Sequence, residues 1–189
     1  MDIVKLGWAA RGLLYKLSFG RFGNLSYIGK PVSIIGRRGI FIGDRVRIYP
    51  GARMEAADGG KIVIEDNTSI GQNFHVTARQ EALVIGANTT INANVCVTNQ
   101  NHDYRDIGRH ILEQDRPVIT TRIGENCFLG FGSVIQAGVI LGKQCVVGAN
   151  SVVCAGRYPD YCVLVGAPAR VVKRYNPQTK VWEKVKSDD

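Results

Sequence analysis

Residues 123–170, IGENCFLGFGSVIQAGVILGKQCVVGANSVVCAGRYPDYCVLVGAPAR, indicate the fold because aliphatic side chains recur there at every sixth position. Eight of the nine positions in the series are aliphatic, and the series reads Ile123, Leu129, Ile135, Leu141, Val147, Val153, Pro159, Val165 and Val171. A helix needs an apolar period near 3.6 and a half-buried strand a period of 2, so neither explains this spacing. Short strands joined by tight corners do explain it, and hexapeptide repeats of this kind are typical of a parallel β-helix.

The repeat predicts a triangular prism whose coils each contain three six-residue turns. Coils are expected to start near Ile42, Ile64, Ile85, Ile123, Leu141 and Pro159. Their aliphatic side chains should point inward and stack at the strand spacing of about 4.8 Å. The register slips at residues 58–61 and 82–84, each time at the end of a coil, which places the insertions on one edge of the prism. In repeat proteins that edge is often the binding face.

Length, charge and cysteine usage limit the class of protein. A chain of 189 residues with 45% hydrophobic content is expected to form one domain with a real core. It shows no apolar run of 18 residues and no signal-peptide pattern, so we expect a cytoplasmic protein. Five scattered cysteines without a C-x-x-C pair are expected to be small buried side chains in a reducing compartment.

The net charge of +8 is compatible with an acidic small molecule such as a nucleotide cofactor, an anionic membrane surface or nucleic acid. No nucleic-acid motif is visible, and the aromatic residues do not interleave with the basic ones as a stacking platform requires. We therefore expect no nucleic-acid partner.

The regions outside the repeat are expected to have separate roles. Residues 1–27 are predicted to form an amphipathic helix, from Asp2 to about Leu17, and a linker. Residues 28–175 are predicted to form the repeat domain. The helix either caps the open end of the solenoid or, through residues 1–21, contacts the inner face of an anionic membrane. Residues 176–189 form a tail that folds back over the last coil as a strand or helical turn and frays over residues 187–189.

A polar loop at residues 103–122 interrupts the repeat immediately after His102. A loop of this length in a compact domain is usually functional or disordered. His102 lies among Asn99, Gln100, Asn101 and Asp103. An imidazole at this position is well suited to general-base catalysis, because imidazole titrates near neutral pH. The alternative is a loop histidine that only forms local hydrogen bonds.

The Ile-Gly repeats, NHDY at residues 101–104, VGANSVV at 147–153 and VGAPARVVK at 165–173 together resemble the hexapeptide-repeat acyltransferases, and most closely the sugar and polysaccharide O-acetyltransferases. The resemblance covers about residues 28–175. It implies an all-β solenoid, a left-handed parallel β-helix, although ordinary chirality rules favour right-handed crossovers. It also implies acetyl-CoA as donor, a sugar or glycan acceptor, and a homotrimer with active sites between neighbouring prisms.

The resemblance implies roles for individual residues around the acceptor. His102 follows the coil start Ile85 by seventeen residues, as in the galactoside-acetyltransferase pattern, and would be the general base. Asn73 matches a polar residue that helps to place the acceptor, and Glu81 is the nearest equivalent of a family acid. Asp103 and Tyr104, next to His102, are expected to contact the acceptor as well. His75 either lines the same cleft or packs at a corner.

The resemblance also implies a binding path for the donor. Pantetheine would run along the C-terminal coils past backbone groups and small side chains, and basic residues would meet the phosphates of coenzyme A. The matching positions are Gly130, Phe131, Ala149, Cys154, Arg170 and Lys173. Ala155 replaces a lysine that some relatives carry near the pantetheine, so one phosphate contact is either lost or supplied by Arg157.

Three alternatives to an O-acetyltransferase remain open from the sequence. The first is an N-acetyltransferase that acts on an amino group of a nucleotide sugar. The second is a zinc enzyme resembling carbonic anhydrase on the same solenoid, which would need His75, His102 and His110 to converge. The third is a scaffold without catalytic activity. Because the three histidines fall at unrelated points of the coils, no metal is expected.

Overall fold

The structure, a computed structural model, describes residues 3–185 and begins with a single α-helix, α1 (Ile3–Tyr15). The predicted helix start at Asp2 and the predicted frayed residues 187–189 lie outside that range. Between residues 3 and 185, no helix has the length and apolar character needed to cross a membrane. The helix is followed by short strands that form the three faces of a prism and by two single-turn 3-10 helices, Arg37–Gly39 and Ile111–Glu113.

Each of the first six coils contributes one strand to each of three sheets, which we number in the order the chain visits them, and the seventh coil contributes strands to the first two sheets only. The first sheet contains β1 (Arg21–Phe22), β4 (Ile40–Ile42), β7 (Lys61–Ile64), β10 (Ala82–Ile85), β13 (Arg122–Ile123), β16 (Val139–Leu141) and β19 (Gly156–Tyr158). The second contains β2 (Tyr27–Ile28), β5 (Arg47–Ile48), β8 (Ser69–Ile70), β11 (Thr90–Ile91), β14 (Phe128–Leu129), β17 (Val146–Val147), β20 (Cys162–Gly166), β21 (Ala169–Asn176) and β22 (Val181–Lys184). The third contains β3 (Ser33–Ile35), β6 (Arg53–Ala57), β9 (His75–Arg79), β12 (Cys96–Thr98), β15 (Val134–Ile135) and β18 (Val152–Val153).

The strands of successive coils pair in parallel, and the first sheet counts seven coils. The predicted all-β solenoid, a left-handed parallel β-helix with a short N-terminal helix and a protruding loop, is confirmed. Its core is the predicted aliphatic stack: Ile42, Ile64, Ile85, Ile123 and Leu141 are register partners one coil apart. Each of these side chains is at most 2% exposed. Every coil therefore buries its apolar face against its neighbours.

The predicted register is wrong by one residue in the last coil. The strand pairing places Tyr158, and not Pro159, opposite Leu141. Leu164 is then the buried residue opposite Val147, whereas Val165 is 41% exposed. The cause is the corner after Val153. Tyr158 follows Val153 by five residues, whereas Leu141 follows Ile135, the equivalent residue one coil earlier, by six.

The C-terminal end of the prism is closed by a change of strand direction. β21 turns back antiparallel to β20, and β22 pairs antiparallel with β21. Val171 therefore does not continue the repeat, although it stands at a six-residue position. The tail contains a strand over the last coil, β22, after a turn whose backbone closes through Lys180 N and Asn176 O, 2.8 Å apart.

Two edges of the prism border the third sheet, and the candidate residues lie on them. We call the connections from the third sheet to the next coil the loop edge; they include residues 80–81, 99–121 and 154–155. We call the connections from the second sheet to the third the opposite edge; they include residues 71–74, 92–95, 130–133 and 148–151. The longest connection, residues 99–121, falls on the loop edge, and the register slips at residues 58–61 and 82–84 lie at or next to the same edge.

Candidate active site

The long insertion on the loop edge is an antiparallel ribbon. Gln100 and Val118 form a β-bridge, and backbone N–H groups of Asn101 and Asp103 donate to Pro117 O at 2.9 Å and Asp115 O at 2.8 Å. The sequence predicted a loop at 103–122 without regular structure. The ribbon instead begins directly after β12 and ends before Arg122, which belongs to β13. Its backbone pairing holds its base, including residue 102, in a defined place.

His102 lies on the outgoing strand of this ribbon and is exposed. The hydrogen bonds formed among residues 3–185 leave its imidazole without a partner. An exposed ring with unused nitrogen atoms can accept a proton from a bound ligand, which a packed histidine cannot do. The arrangement therefore suits a base that acts on a molecule from outside the chain.

Asn99 fixes the base of the ribbon to the preceding coil, a contact that sequence reasoning missed. Its side chain is fully buried. The amide Nδ2 donates to Arg79 O at 3.0 Å, and the Arg79 N–H donates to Asn99 Oδ1 at 2.9 Å. The available signal was an amide residue directly after the apolar strand, where the chain leaves the coil. Since His102 is only three residues further on, this clamp positions it.

We predict that Asn99→Ala lowers both stability and turnover. The substitution removes both hydrogen bonds between the Asn99 amide and the backbone of Arg79; Arg79 O keeps a bond from Glu81 N, but the half-buried Arg79 N–H loses its acceptor, at a cost of about 1–3 kcal/mol. We expect the free energy of unfolding, measured in urea, to fall by about 2 kcal/mol or more and kcat to fall with it, since the ribbon loses its anchor. Asn101→Ala, at an exposed neighbour, is the control for stability. An unchanged free energy of unfolding in Asn99→Ala would contradict the clamp.

Asp103 is engaged within its own turn. Its Oδ1 accepts from the backbone N–H groups of Tyr104 and Arg105, at 2.8 and 3.1 Å, and from Arg105 Nε at 2.8 Å. The hydrogen bonds and charge of Arg105, with the two backbone donors, hold the pKa of the Asp103 carboxyl well below its usual range. Asp103 thus shapes the ribbon as an anion, while the ring of Tyr104, 72% exposed, is open to a ligand.

Glu81 and His75 occupy different surroundings from each other. Glu81 lies on the loop edge one coil before the ribbon, and its Oε2 accepts from Thr120 Oγ1 at 2.7 Å. His75 is half-buried on the outer side of the third sheet, with Nε2 3.3 Å from Thr77 Oγ1. Burial, followed by the charge of Arg53, lowers the pKa of His75, so its ring is neutral at neutral pH.

The opposite edge holds Asn73 and most of the candidate donor residues. Asn73 has a left-handed backbone, φ 56°, and its Nδ2 donates to Asn94 Oδ1 at 3.0 Å, so its amide belongs to a ladder between coils. Gly130 is buried, and a Cβ at this position would lie 2.6 Å from Ala149 N. The close packing of successive coils therefore explains why a glycine stands here. Phe131, 45% exposed, and Ala149, also exposed, line the outside of this edge.

The remaining candidate donor residues are divided between the two edges. Arg170 is exposed on β21 opposite Val165, near the turn that returns from β20 beside the opposite edge. Lys173 is exposed further along β21, opposite Val163. Cys154 is half-buried on the loop edge, where its carbonyl accepts from Tyr158 Oη at 2.9 Å.

The candidate residues of one chain do not converge on one point. His102, Asp103, Tyr104, Glu81 and Cys154 lie on the loop edge, whereas Asn73, Gly130, Phe131 and Ala149 lie on the opposite edge. A strand of the third sheet separates the two edges, and the five residues of β9 span about 16 Å at 3.3 Å per residue. One buried acceptor on the loop edge also lacks a partner within residues 3–185, the Oε1 of Gln100.

The three histidines occupy separate elements. His75 is on β9, His102 is at the base of the ribbon, and His110 is at its tip, where Nδ1 accepts from Leu112 N at 3.2 Å. Across the described part of the chain, no group of three or more His, Cys, Asp or Glu side chains is arranged to hold a metal ion.

Comparisons with known proteins agree with this architecture. The family model described as the hexapeptide repeat of succinyl-transferase matches residues 120–155. Among solved structures, an N-acyltransferase from Bacillus cereus, AntD, in complex with dTDP and 3-hydroxybutyryl-CoA superimposes with a TM-score of 0.76 at 21% identity, over 89% of this chain and 90% of that one. A hexapeptide-repeat acetyltransferase from Vibrio cholerae, VCA0836, complexed with acetyl coenzyme A gives 0.57 at 24% identity, over 89% and 78%. At these identities the two structures support the fold.

A sequence relative shows the family. Over 174 residues, 85% of each chain, the protein is 32% identical to a protein of Escherichia coli K12 named as a lipopolysaccharide biosynthesis O-acetyl transferase, WbbJ. The match extends far beyond residues 120–155. The chain belongs to the hexapeptide-repeat acyltransferases.

Proposed function

We propose that this acyltransferase transfers the acetyl group of acetyl-CoA to a hydroxyl group of a sugar or glycan, with His102 as general base. The observation that carries the proposal is the 32% identity, over 85% of the chain, to a relative named as an O-acetyl transferase of lipopolysaccharide biosynthesis. The exposed imidazole at the base of the ribbon supports it, because direct transfer needs a base that is open to the acceptor.

The proposed reaction needs no covalent enzyme intermediate. His102 takes the proton of the acceptor hydroxyl while its oxygen attacks the thioester carbonyl carbon, so a C–O bond forms and the C–S bond breaks. The imidazolium then returns the proton to the departing thiolate of coenzyme A, and the ring is neutral again. Glu81, Asp103, Tyr104 and His75 are the candidate residues for holding the acceptor. Of these, Tyr104 has the most freely available side chain.

The donor is proposed to lie along the opposite edge of the C-terminal coils. Phe131 and Ala149 offer an exposed apolar and small surface there, and Gly130 keeps the coils close. Arg170 and Lys173 are exposed on β21, where their cationic groups can meet the phosphates of coenzyme A. Cys154 lies on the loop edge of the coil that contains Ala149. The AntD and VCA0836 structures, which share this fold, hold 3-hydroxybutyryl-CoA and acetyl coenzyme A, and this supports a donor of the same class.

A homotrimer is proposed as the active form because the candidate residues are split between two edges. In a cyclic trimer, each interface joins two different surfaces of neighbouring subunits and is therefore heterologous. One of these surfaces is proposed to be the loop edge. If the other surface is the opposite edge, His102 of one subunit faces the donor path of its neighbour. Each site would then contain residues of two copies of the chain.

The nature of the acetylated product tests O-transfer against N-transfer. We expect the purified protein to release free coenzyme A with neutral sugars or glycan fragments and to yield a product that loses its acetyl group in alkaline hydroxylamine, because hydroxylamine cleaves oxygen esters at alkaline pH. An acetylated amino sugar is an amide and keeps its acetyl group under the same conditions. A product that resists hydroxylamine, formed only from amino sugars or their nucleotides, would replace the proposal with N-acetyl transfer. No turnover with any acceptor class would contradict both.

A further inference from the structure

The helix α1 uses one side to close the N-terminal end of the prism. Trp8 packs against Tyr27 and Tyr49, with ring centroids 5.8 and 5.5 Å apart, and Tyr15 stacks on Phe19 at 4.8 Å. Tyr27 and Tyr49 belong to the first two coils, so this side of the helix is fixed to the solenoid. The predicted role as an end cap accounts for these aromatic contacts.

The other side of the same region is an exposed leucine stripe. We give this name to Leu6, Leu13, Leu14 and Leu17, which are 50%, 64%, 69% and 88% exposed. The spacings of seven and eight residues place Leu13 and Leu14 on the same side of α1 as Leu6, and Leu17 follows in the turn directly after the helix. An end cap needs one apolar side only, so the stripe is not explained by packing within the chain. Clustered exposed apolar side chains of this size mark an interaction surface.

The charge around the stripe is exclusively positive over a long segment. Residues 3–43 contain no Asp or Glu and seven basic residues: Lys5, Arg11, Lys16, Arg21, Lys30, Arg37 and Arg38. The whole chain has a net charge of +8, so most of its excess positive charge lies in its first coil and helix. Lys16, Arg37 and Arg38 are exposed.

Three cationic side chains line a cavity beside the stripe, two from this segment and one from the third coil. The volume of the cavity is about 690 Å³, and Arg37, Arg38 and Lys61 line it together with Leu17, Ser18 and glycines of the loop edge. No carboxylate lines it. The guanidinium of Arg37 lies 5.5 Å from the centroid of the Tyr15 ring, which holds that side chain against the end of the helix. Because Leu17 borders the cavity, an apolar and a cationic surface meet at one place.

We propose that this end of the prism docks on an anionic membrane, with the leucine stripe at the boundary of head groups and acyl chains and the cavity cations against lipid phosphates. An interfacial helix combines one apolar side with basic residues, as this region does. Each Lys or Arg near an anionic lipid surface contributes about 1 kcal/mol. With 13 residues, α1 lies on the membrane and does not span it.

Docking in this orientation would hold the loop edge near the lipid surface. The ribbon leaves the fourth coil, three coil spacings from the first, or about 14 Å. An acceptor carried on a lipid would then be close to His102. That consequence rests on the proposed function, whereas docking itself is measured without donor or acceptor and fails or succeeds independently.

Sedimentation with vesicles tests the docking. We expect the full chain to sediment with vesicles of mixed phosphatidylcholine and phosphatidylglycerol, to remain in the supernatant with phosphatidylcholine alone, and to dissociate as salt is raised, because exposed charges are screened. Equal binding to both vesicle types, or no binding to either, would overturn the proposal. Inorganic phosphate added at the concentration of lipid phosphate should not release the protein; complete release would identify a free-phosphate site instead.

Two double variants and their controls measure separately what the leucine stripe and the cavity arginines contribute to vesicle binding. Leu13→Ser with Leu17→Ser, and Arg37→Gln with Arg38→Gln, should each weaken partitioning onto the mixed vesicles about 10-fold or more. Val181→Ser with Val185→Ser, and Lys180→Gln with Lys184→Gln, make the same changes at exposed positions of the other end and should bind as the parent does. If the leucine variant keeps its vesicle binding but changes its mass in solution, the stripe is an interface between copies and the proposal is overturned.

Discussion

Replacing His102 with alanine is expected to lower kcat by about 10²- to 10⁴-fold, the usual contribution of a positioned general base. The change should leave the thermal unfolding midpoint of the protein unaltered, because the side chain is exposed and holds no other residue. Binding of acetyl-CoA, measured by calorimetry, should also persist, since the proposed donor path runs along the opposite edge. The measurement is the steady-state release of coenzyme A with the best acceptor of the panel.

The matched control for this prediction is His110→Ala. His110 lies on the same ribbon, but at its tip, where it accepts a hydrogen bond from Leu112 N. Its loss should affect the tip and leave kcat within a few-fold of the parent. Partial recovery of His102→Ala by added imidazole would support a proton-transfer role, because a merely structural histidine is not replaced by a free base. A His102→Ala enzyme with full kcat would reject this residue as the base.

The fold was predictable because every coil repeats the same physical requirement. A six-residue recurrence of aliphatic side chains fits only a chain that turns a corner after each short strand, and Ile64, Ile85 and Ile123 do stack in register. The register of the last coil was not predictable from period alone. The corner after Val153 is one residue short of the six-residue step, so the inward position of the next strand falls on Tyr158. Tyr158 is not aliphatic and does not stand out in the repeat. The same shift leaves Val165 exposed.

The candidate site was predictable as a list of residues but not as an arrangement. The exit of the chain at His102 is visible in the sequence, but the ribbon is held by backbone hydrogen bonds between residues 99–103 and 115–119, which leave no side-chain pattern. Asn73 has the residue type expected of an acceptor contact. Its left-handed backbone and its hydrogen bond to Asn94, however, give it a structural role in the corner of the coil. The division of the candidate residues between the loop edge and the opposite edge depends on where each coil turns, and the positions of these turns are known only from the structure.

That division gives a stringent test of a site shared between subunits. His102→Ala damages the loop edge, and Ala149→Glu places a bulky anion on the exposed opposite edge, against the proposed path of coenzyme A. Each variant alone should retain only a trace of activity, and Ala149→Glu should in addition lose affinity for acetyl-CoA. Neither position is buried, so both variants should fold, which their unfolding midpoints would verify.

Co-expression of the two inactive variants should restore activity. In a three-membered ring assembled at random from equal amounts, a site that takes its loop edge from one subunit and its opposite edge from the next is intact in about one quarter of cases. Activity should therefore rise from a trace to about a quarter of the parent value per chain, in particles of trimer mass. If each site belonged to a single chain, every chain in the mixture would carry one damaged edge and the mixture would stay inactive. An inactive mixture of well-assembled trimers would thus reject the shared site even if His102 proves to be the base.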